Sequence, residues 1–204
     1  RVELLTSAGM VASYRGDHAA ARKSYQDAIA LSKSVGSRRD EANAITYLAI
    51  DHHRTAEFAV ARELYAQSLA IARELSDVGS MATYELNMGA ASYDMAEPAR
   101  AATHFEAAAK LAKRAGRSST DVSARTNLAN LHVYLGLYER ALVEASLALR
   151  DADANGMRST AAQAVLILGL RLARTGDVDG ALQRCDEAAK RYRALAHWRE
   201  VAES

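Results

Sequence analysis

The residues of this chain that could do covalent or metal chemistry are six histidines and one cysteine, and their spacing argues against both. His18, His52, His53, His104, His132 and His197 are scattered. His52 and His132 fall in one column of a 40-residue period but lie two periods apart. At about 10 Å per helix layer that is too far to share a metal, and both are read as buried packing residues. No cysteine, serine or carboxylate stands beside His53 at triad spacing, and neither common form of Gly-rich phosphate loop is present. Cys185, alone, excludes an internal disulfide and a Cys-based zinc site, and is read as a buried, inert thiol. The expectation is no enzyme, no metal and no cofactor.

What remains is hydrogen-bonding chemistry. Asn87 and Asn127 stand 40 residues apart. Each carboxamide can donate to a backbone C=O and accept from an N–H, which is what an extended peptide offers. The elements that would have to position them are helical. In 204 residues there are one proline, eleven glycines and 6 % aromatics, and alanine is the commonest residue, a profile that favours helix and excludes an all-β fold. Twenty-six Lys+Arg balance twenty-five Asp+Glu. That leaves no strong field to draw the chain onto nucleic acid. The short basic clusters Arg22, Lys23, Arg38, Arg39 and Lys110, Lys113, Arg114, Arg117 are read as solvated helix edges. No apolar run reaches the roughly 18 residues of a membrane span, and no signal-peptide pattern is present. With the lone cysteine these features predict a cytoplasmic setting.

Internal repetition decides the architecture. Ala21, Ala61, Ala101, Ala141 and Ala181 recur every 40 residues, flanked in fixed register by Gly9, Ala49, Gly89, Ala129, Gly169 and by Ala28, Ser68, Ala108, Ala148, Ala188. Four residues after each anchor come Tyr25, Tyr65, Phe105, Ala145 and Cys185. Small residues let helix backbones approach closely, and the aromatic fills the space between hairpins. Turn signals at Gly16-Asp17, Ala56-Glu57, Ala96-Glu97, Gly136-Leu137 and Gly176-Asp177 separate first from second helices, with Pro98 at a helix start where proline is tolerated. Gly36, Ser76, Gly116 and Gly156 end the second helices, and Ser118 to Asp121 has the spacing of a capping box. First helices are expected near 2–14, 38–54, 78–94, 119–134 and 159–174, second helices near 18–35, 58–75, 98–115, 138–154 and 178–195, with 197–204 as a capping helix or truncated repeat.

This pattern resembles the tetratricopeptide repeat, a helical hairpin of 34 residues, with Gly89, Ala101, Phe105 and Ala108 filling its small and aromatic positions in the central repeat. The longer period is similar to the long-helix branch found in bacterial regulator sensor domains. The resemblance implies an all-α, right-handed α-solenoid of five antiparallel hairpins, ten to eleven helices. It would form a single domain over 1–204 with repeats near 2–41, 42–81, 82–121, 122–161 and 162–201. Because Arg1 already reads as helix, the chain is expected to be part of a longer protein.

The resemblance also implies a concave groove lined by the first helices. Transferring its register places Asn87, Asn127, Asn130, Asn43, Tyr47, His53 and Tyr93 in or beside that groove, a polar and nearly uncharged lining suited to a protein or peptide partner. Thr6, Thr46, Thr83 and Ser123 stand where relatives that clamp a C-terminal carboxylate carry basic residues, so that mode is not expected. The implied role is a non-catalytic scaffold, the sensing or assembly domain of a bacterial transcriptional regulator, binding neither nucleic acid nor membrane itself. The alternative is homo-oligomerisation, a homodimer included, through exposed solenoid ends where Leu195, Trp198 and Val201 lie.

Overall fold

The computed structural model describes residues 1–202, with side chains as far as Leu195. Ten helices and no strand occur among the described residues: α1 (Val2–Tyr14), α2 (His18–Ser34), α3 (Arg38–Arg54), α4 (Phe58–Glu74), α5 (Val78–Asp94), α6 (Pro98–Arg114), α7 (Ser118–Tyr134), α8 (Tyr138–Ala154), α9 (Arg158–Arg174) and α10 (Val178–Ala202). They pair into five antiparallel hairpins. The chain forms two compact units, Arg1–Ala115 with three hairpins and Gly116–Ser204 with two.

Each break has one physical cause. The second residue after a helix end adopts the left-handed conformation, and at the first break two backbone bonds close the last turn: Asp17 N–H reaches Ala12 C=O at 3.0 Å and Gly16 N–H reaches Ser13 C=O at 3.1 Å. The same conformation recurs at Gly36, Gly116, Gly136, Gly156 and Gly176, and at the non-glycine residues Ala56, Ser76 and Ala96. Asp17, Asp77 and Asp177 cap the following helices, accepting from Ala20, Ser80 and Gly180 N–H at 3.0, 3.0 and 2.9 Å. Pro98 opens α6 at a position whose N–H has no helical partner.

Two sequence expectations fail at helix ends. The residues 197–202 continue α10 and begin no new helix, because Ala196 stands where Gly or Ser breaks the earlier repeats. The capping box at Ser118 does not form, since α7 starts one residue sooner with Arg117 at its N-cap, and Asp121 turns to Arg125 Nη2 at 3.0 Å.

The core is made by the small columns. Ala21, Ala28, Ala61, Ala101 and Ala108 are fully buried in the first unit, and Ala129, Ala141, Ala145 and Ala148 in the second. A Cβ on Gly9 would lie 2.5 Å from the Tyr25 ring, and one on Gly89 2.5 Å from the Phe105 ring. Glycine is therefore required there for contact, so that the aromatic can lie flat on the helix backbone. Tyr25, Tyr65 and Phe105 are at most 2 % exposed. Cys185 is a correction: the thiol is exposed. It occupies the same column, but among the described residues no first helix follows α10 to cover it.

Candidate peptide-binding groove

In the first unit the first helices α1, α3 and α5 present one common face, and three hollows lie along it. The first, about 330 Å³, is lined by Glu3, Thr6 and Met10 of α1 and by Asp40, Asn43 and Tyr47 of α3. The second, about 110 Å³, lies among Met10, Tyr14, Tyr25, Tyr47, Ile50 and Arg54. The third, about 500 Å³, holds His53, Arg54, Phe58 and Tyr65 with Asn87 and Asp94 of α5. Met10 and Tyr47 belong to the first and second, Ile50 and Arg54 to the second and third, so the hollows adjoin. The α3 lining steps through 43, 47, 50 and 54, the three- and four-residue spacing of one helix face.

Four of the seven expected residues come together on this face: Asn43, Tyr47, His53 and Asn87. Asn87 is half-buried and its carboxamide makes no hydrogen bond to another described residue, so it is not spent on holding hairpins together. Asn43 is exposed and accepts a long bond, 3.5 Å, from the Tyr84 hydroxyl. Tyr93 is half-buried on α5, in the column of His53, and does not line these hollows. Asn127 and Asn130 are half-buried on α7, in the second unit.

The lining is more charged than the sequence suggested. Glu3 and Asp40 flank the first hollow, Arg54 stands between the second and third, and Asp94 closes the third. The transferred register put the amides on this face; Asp40 and Asp94 sit at helix ends outside its columns, whereas Glu3 stands 40 residues before Asn43, in the same column. His53 Nε2 lies 2.7 Å from Asp94 Oδ2, and its ring packs edge-on against Phe58 at 5.3 Å. That carboxylate, one repeat and one residue away, is the His53 partner that the local sequence did not show. Tyr65 brings the one hydroxyl among the residues lining the third hollow, its ring edge-on to His53 at 6.4 Å, and burial pushes that phenol up.

A second cluster was also hidden in the sequence. The Asp51 side chain is fully buried where the first two hairpins meet. It accepts from Ser13 Oγ at 2.6 Å and Arg22 Nε at 2.9 Å, and lies 2.8 Å from His18 Nδ1. Burial pushes its carboxyl up, and the bonds from Ser13, His18 and Arg22 together outweigh that, holding it below the ordinary carboxylate range. The serine faces the carboxylate and not the imidazole, which is not the order of a nucleophilic triad. Arg22 continues to Glu57 at 2.5 Å, and Glu57, with Thr55 and His52 also bonded to it, is held down at about 2. Arg62 repeats the tie to Glu97, 35 residues on, at 2.5 Å.

His52 is thus a polar partner of Glu57 at 3.0 Å and only half-buried, whereas His132 is buried as expected. Of the first basic cluster, Arg22, Lys23, Arg38 and Arg39 all pair with carboxylates of this chain. Among the described residues no group of three His, Cys, Asp or Glu side chains is placed to hold a metal, and no helix is long and apolar enough to cross a membrane.

A sequence profile described as "Tetratricopeptide repeat" matches residues 2–74. No curated protein matches the chain in sequence. Among solved structures, BtubC (BKLC) from P. vanneervenii is similar at a TM-score of 0.84 and 20 % identity, over 96 % of this chain and 81 % of that one. The apo form of RapI has a TM-score of 0.84 at 18 % identity, over 99 % of this chain and 71 % of its own. The Rap conjugation gene regulator of the plasmid pLS20, solved in complex with the Phr* peptide, has a TM-score of 0.75 at 19 % identity; 96 % of this chain matches 54 % of that one. At such identities the likeness is one of fold, that of repeated helical hairpins.

Proposed function

Because residues 2–74 match the tetratricopeptide repeat and the chain has the fold of such hairpins, we propose that it is a non-catalytic module that binds an extended peptide or protein segment along the first-helix face. The observation that carries this reading is the run of three adjoining hollows on α1, α3 and α5, with the uncommitted Asn87 carboxamide in the third. Asn43, Tyr47 and His53 would contribute to the same face, with Tyr93 beside it, and Asn127 and Asn130 to the first-helix face of the second unit. The similar Rap regulator, whose structure contains a peptide, supports a sensing or assembly role within a longer, cytoplasmic bacterial regulator. The repeats would act there as one domain.

The test is to capture partners from source-cell lysate, identify them by mass spectrometry and titrate the strongest against variants. Asn87→Ala should weaken binding by about ten-fold or more, since a ligand amide loses its only partner there. Affinity unchanged in Asn87→Ala and in Tyr47→Ala would sink the reading.

A second reading has its own observation. Val178, Leu182, Cys185 and Tyr192 form an exposed stripe on α10, with Leu182 63 % exposed. That is a surface for self-association. The Trp198 and Val201 side chains invoked for this end lie outside the described ones. Light scattering on the eluting protein decides it: a dimer abolished by Leu182→Asp supports self-association, and a monomer at high concentration excludes it.

A further inference from the structure

We propose that the two hollows on either side of Arg54 are register-equivalent sockets of one peptide site, the first taking an aliphatic side chain while Arg54 takes a carboxylate beside it. The proposal rests on the groove reading above and adds the chemistry of the ligand. Met10, Ser13, Tyr25, Tyr47 and Arg54 line the second hollow, and Ile50, His53, Tyr65, Asn87 and Asp94 line the third. Each residue of the second set stands 40 positions after its counterpart in the first. The repeat therefore builds the same socket twice and changes what lines it.

The first socket is walled by aromatic faces. The Tyr25 and Tyr47 rings stack with centroids 6.0 Å apart and planes at 16°. Burial, with the Asp51 carboxylate nearby, pushes the Tyr25 phenol up to about 12, so this wall stays neutral. At about 110 Å³ the space is smaller than the roughly 150 Å³ apolar cavity that holds a benzene ring. A leucine, isoleucine or methionine side chain fits it better than an aromatic one. The second socket is wider, about 500 Å³, and polar, with the Asn87 amide and the His53–Asp94 pair.

Arg54 forms the ridge between them and is held in place. Its Nη1 donates to Ser13 Oγ at 3.1 Å, Ser13 donates in turn to Asp51 at 2.6 Å, and the guanidinium carbon lies 5.3 Å above the centre of the Tyr14 ring. Among the described residues no carboxylate pairs with Arg54, whereas the neighbouring Asp94 charge is met by His53. A fixed guanidinium with its charge unmet, between an apolar and a polar socket, complements a carboxylate next to an aliphatic group.

The probes are labelled hexapeptides Ala-Ala-X-Asp-Ala-Ala and Ala-Ala-Asp-X-Ala-Ala, with X as Leu, Ile, Met, Phe, Trp or Lys, and their Asn-for-Asp counterparts. Each is titrated by fluorescence polarisation against the full chain, with circular dichroism confirming the fold of every variant. Leu, Ile and Met should bind about ten-fold tighter than Trp or Lys, and Asn for Asp should cost about ten-fold. Arg54→Gln should erase the Asp-over-Asn ratio and keep the aliphatic preference; Met10→Trp, which fills the socket, should do the reverse. Equal affinity for all X, or an Asp-over-Asn ratio that survives Arg54→Gln, overturns the proposal. If Asn87→Ala weakens every peptide alike and neither preference exists, the sockets fail and the groove stands. If both preferences hold but Asn87→Ala changes nothing, the sockets stand and the groove reading loses its central amide. Absence of binding by every peptide rejects both.

Discussion

Asp51 is the residue on which the acid behaviour of the first two hairpins turns. A buried carboxylate stripped of its partners is costly, by about 3–5 kcal/mol, yet here Ser13, His18 and Arg22 surround it. Its carboxyl is held below the ordinary value in the folded chain, so its contribution is fully present above the unfolded pKa, about 3.9, and is lost as pH falls through the folded value. Glu57, at about 2 when folded, adds a loss over the same acid window. Urea midpoints measured at pH 7 and pH 3 should therefore fall further for the natural chain than for Asp51→Asn. Equal falls would mean that Asp51 carries no net linkage. None of this was legible in the sequence, because Ser13, His18 and Arg22 lie 38, 33 and 29 residues from Asp51. Only stacking of one hairpin on the next brings them together. Asn43, Tyr47 and Asn87 were legible for the opposite reason: they sit in columns that the register implied by the tetratricopeptide resemblance places on one face.

At the scale of the helix, the small columns and the breaks could be read directly, since each follows from a local requirement of close approach or left-handed backbone. Three breaks carry the wrong residue for their conformation: Ala56, Ser76 and Ala96 have φ of 61°, 54° and 56°. An L-residue pays roughly 1–2 kcal/mol for that region, and glycine brings back about 0.5–1 kcal/mol of chain entropy. Ala56→Gly, Ser76→Gly and Ala96→Gly should each stabilise the chain by about 0.5–1 kcal/mol, read as higher urea midpoints at constant slope. Gly16→Ala, at φ 81° with open space around the new Cβ, should do the opposite through backbone strain alone. The helix ends that were misread are of another kind. At Ala196 the breaker is missing and α10 runs on, and at Ser118 a good capping sequence is overridden by Arg117 one residue earlier. The buried state expected of Cys185 failed for a reason beyond its own helix, since burial in that column depends on the hairpin that follows.

For the molecule as a whole, the partition into Arg1–Ala115 and Gly116–Ser204 bears on where the ligand is held. Repeats draw their stability from contacts with immediate neighbours, so a run of three hairpins can fold without those beyond it. The first unit has its own continuous core, from Tyr25 and Leu48 through Tyr65 and Ala91. It also contains every residue lining the three hollows. A fragment of residues 1–115 should accordingly be helical, unfold cooperatively and bind a captured partner peptide within about three-fold of the whole chain, since no lining contact is removed. Asn127 and Asn130 lie outside that fragment, on α7. If the fragment folds but loses ten-fold or more in affinity, these two amides become the next residues to change in the whole chain, because the first unit alone would then be too short for the ligand.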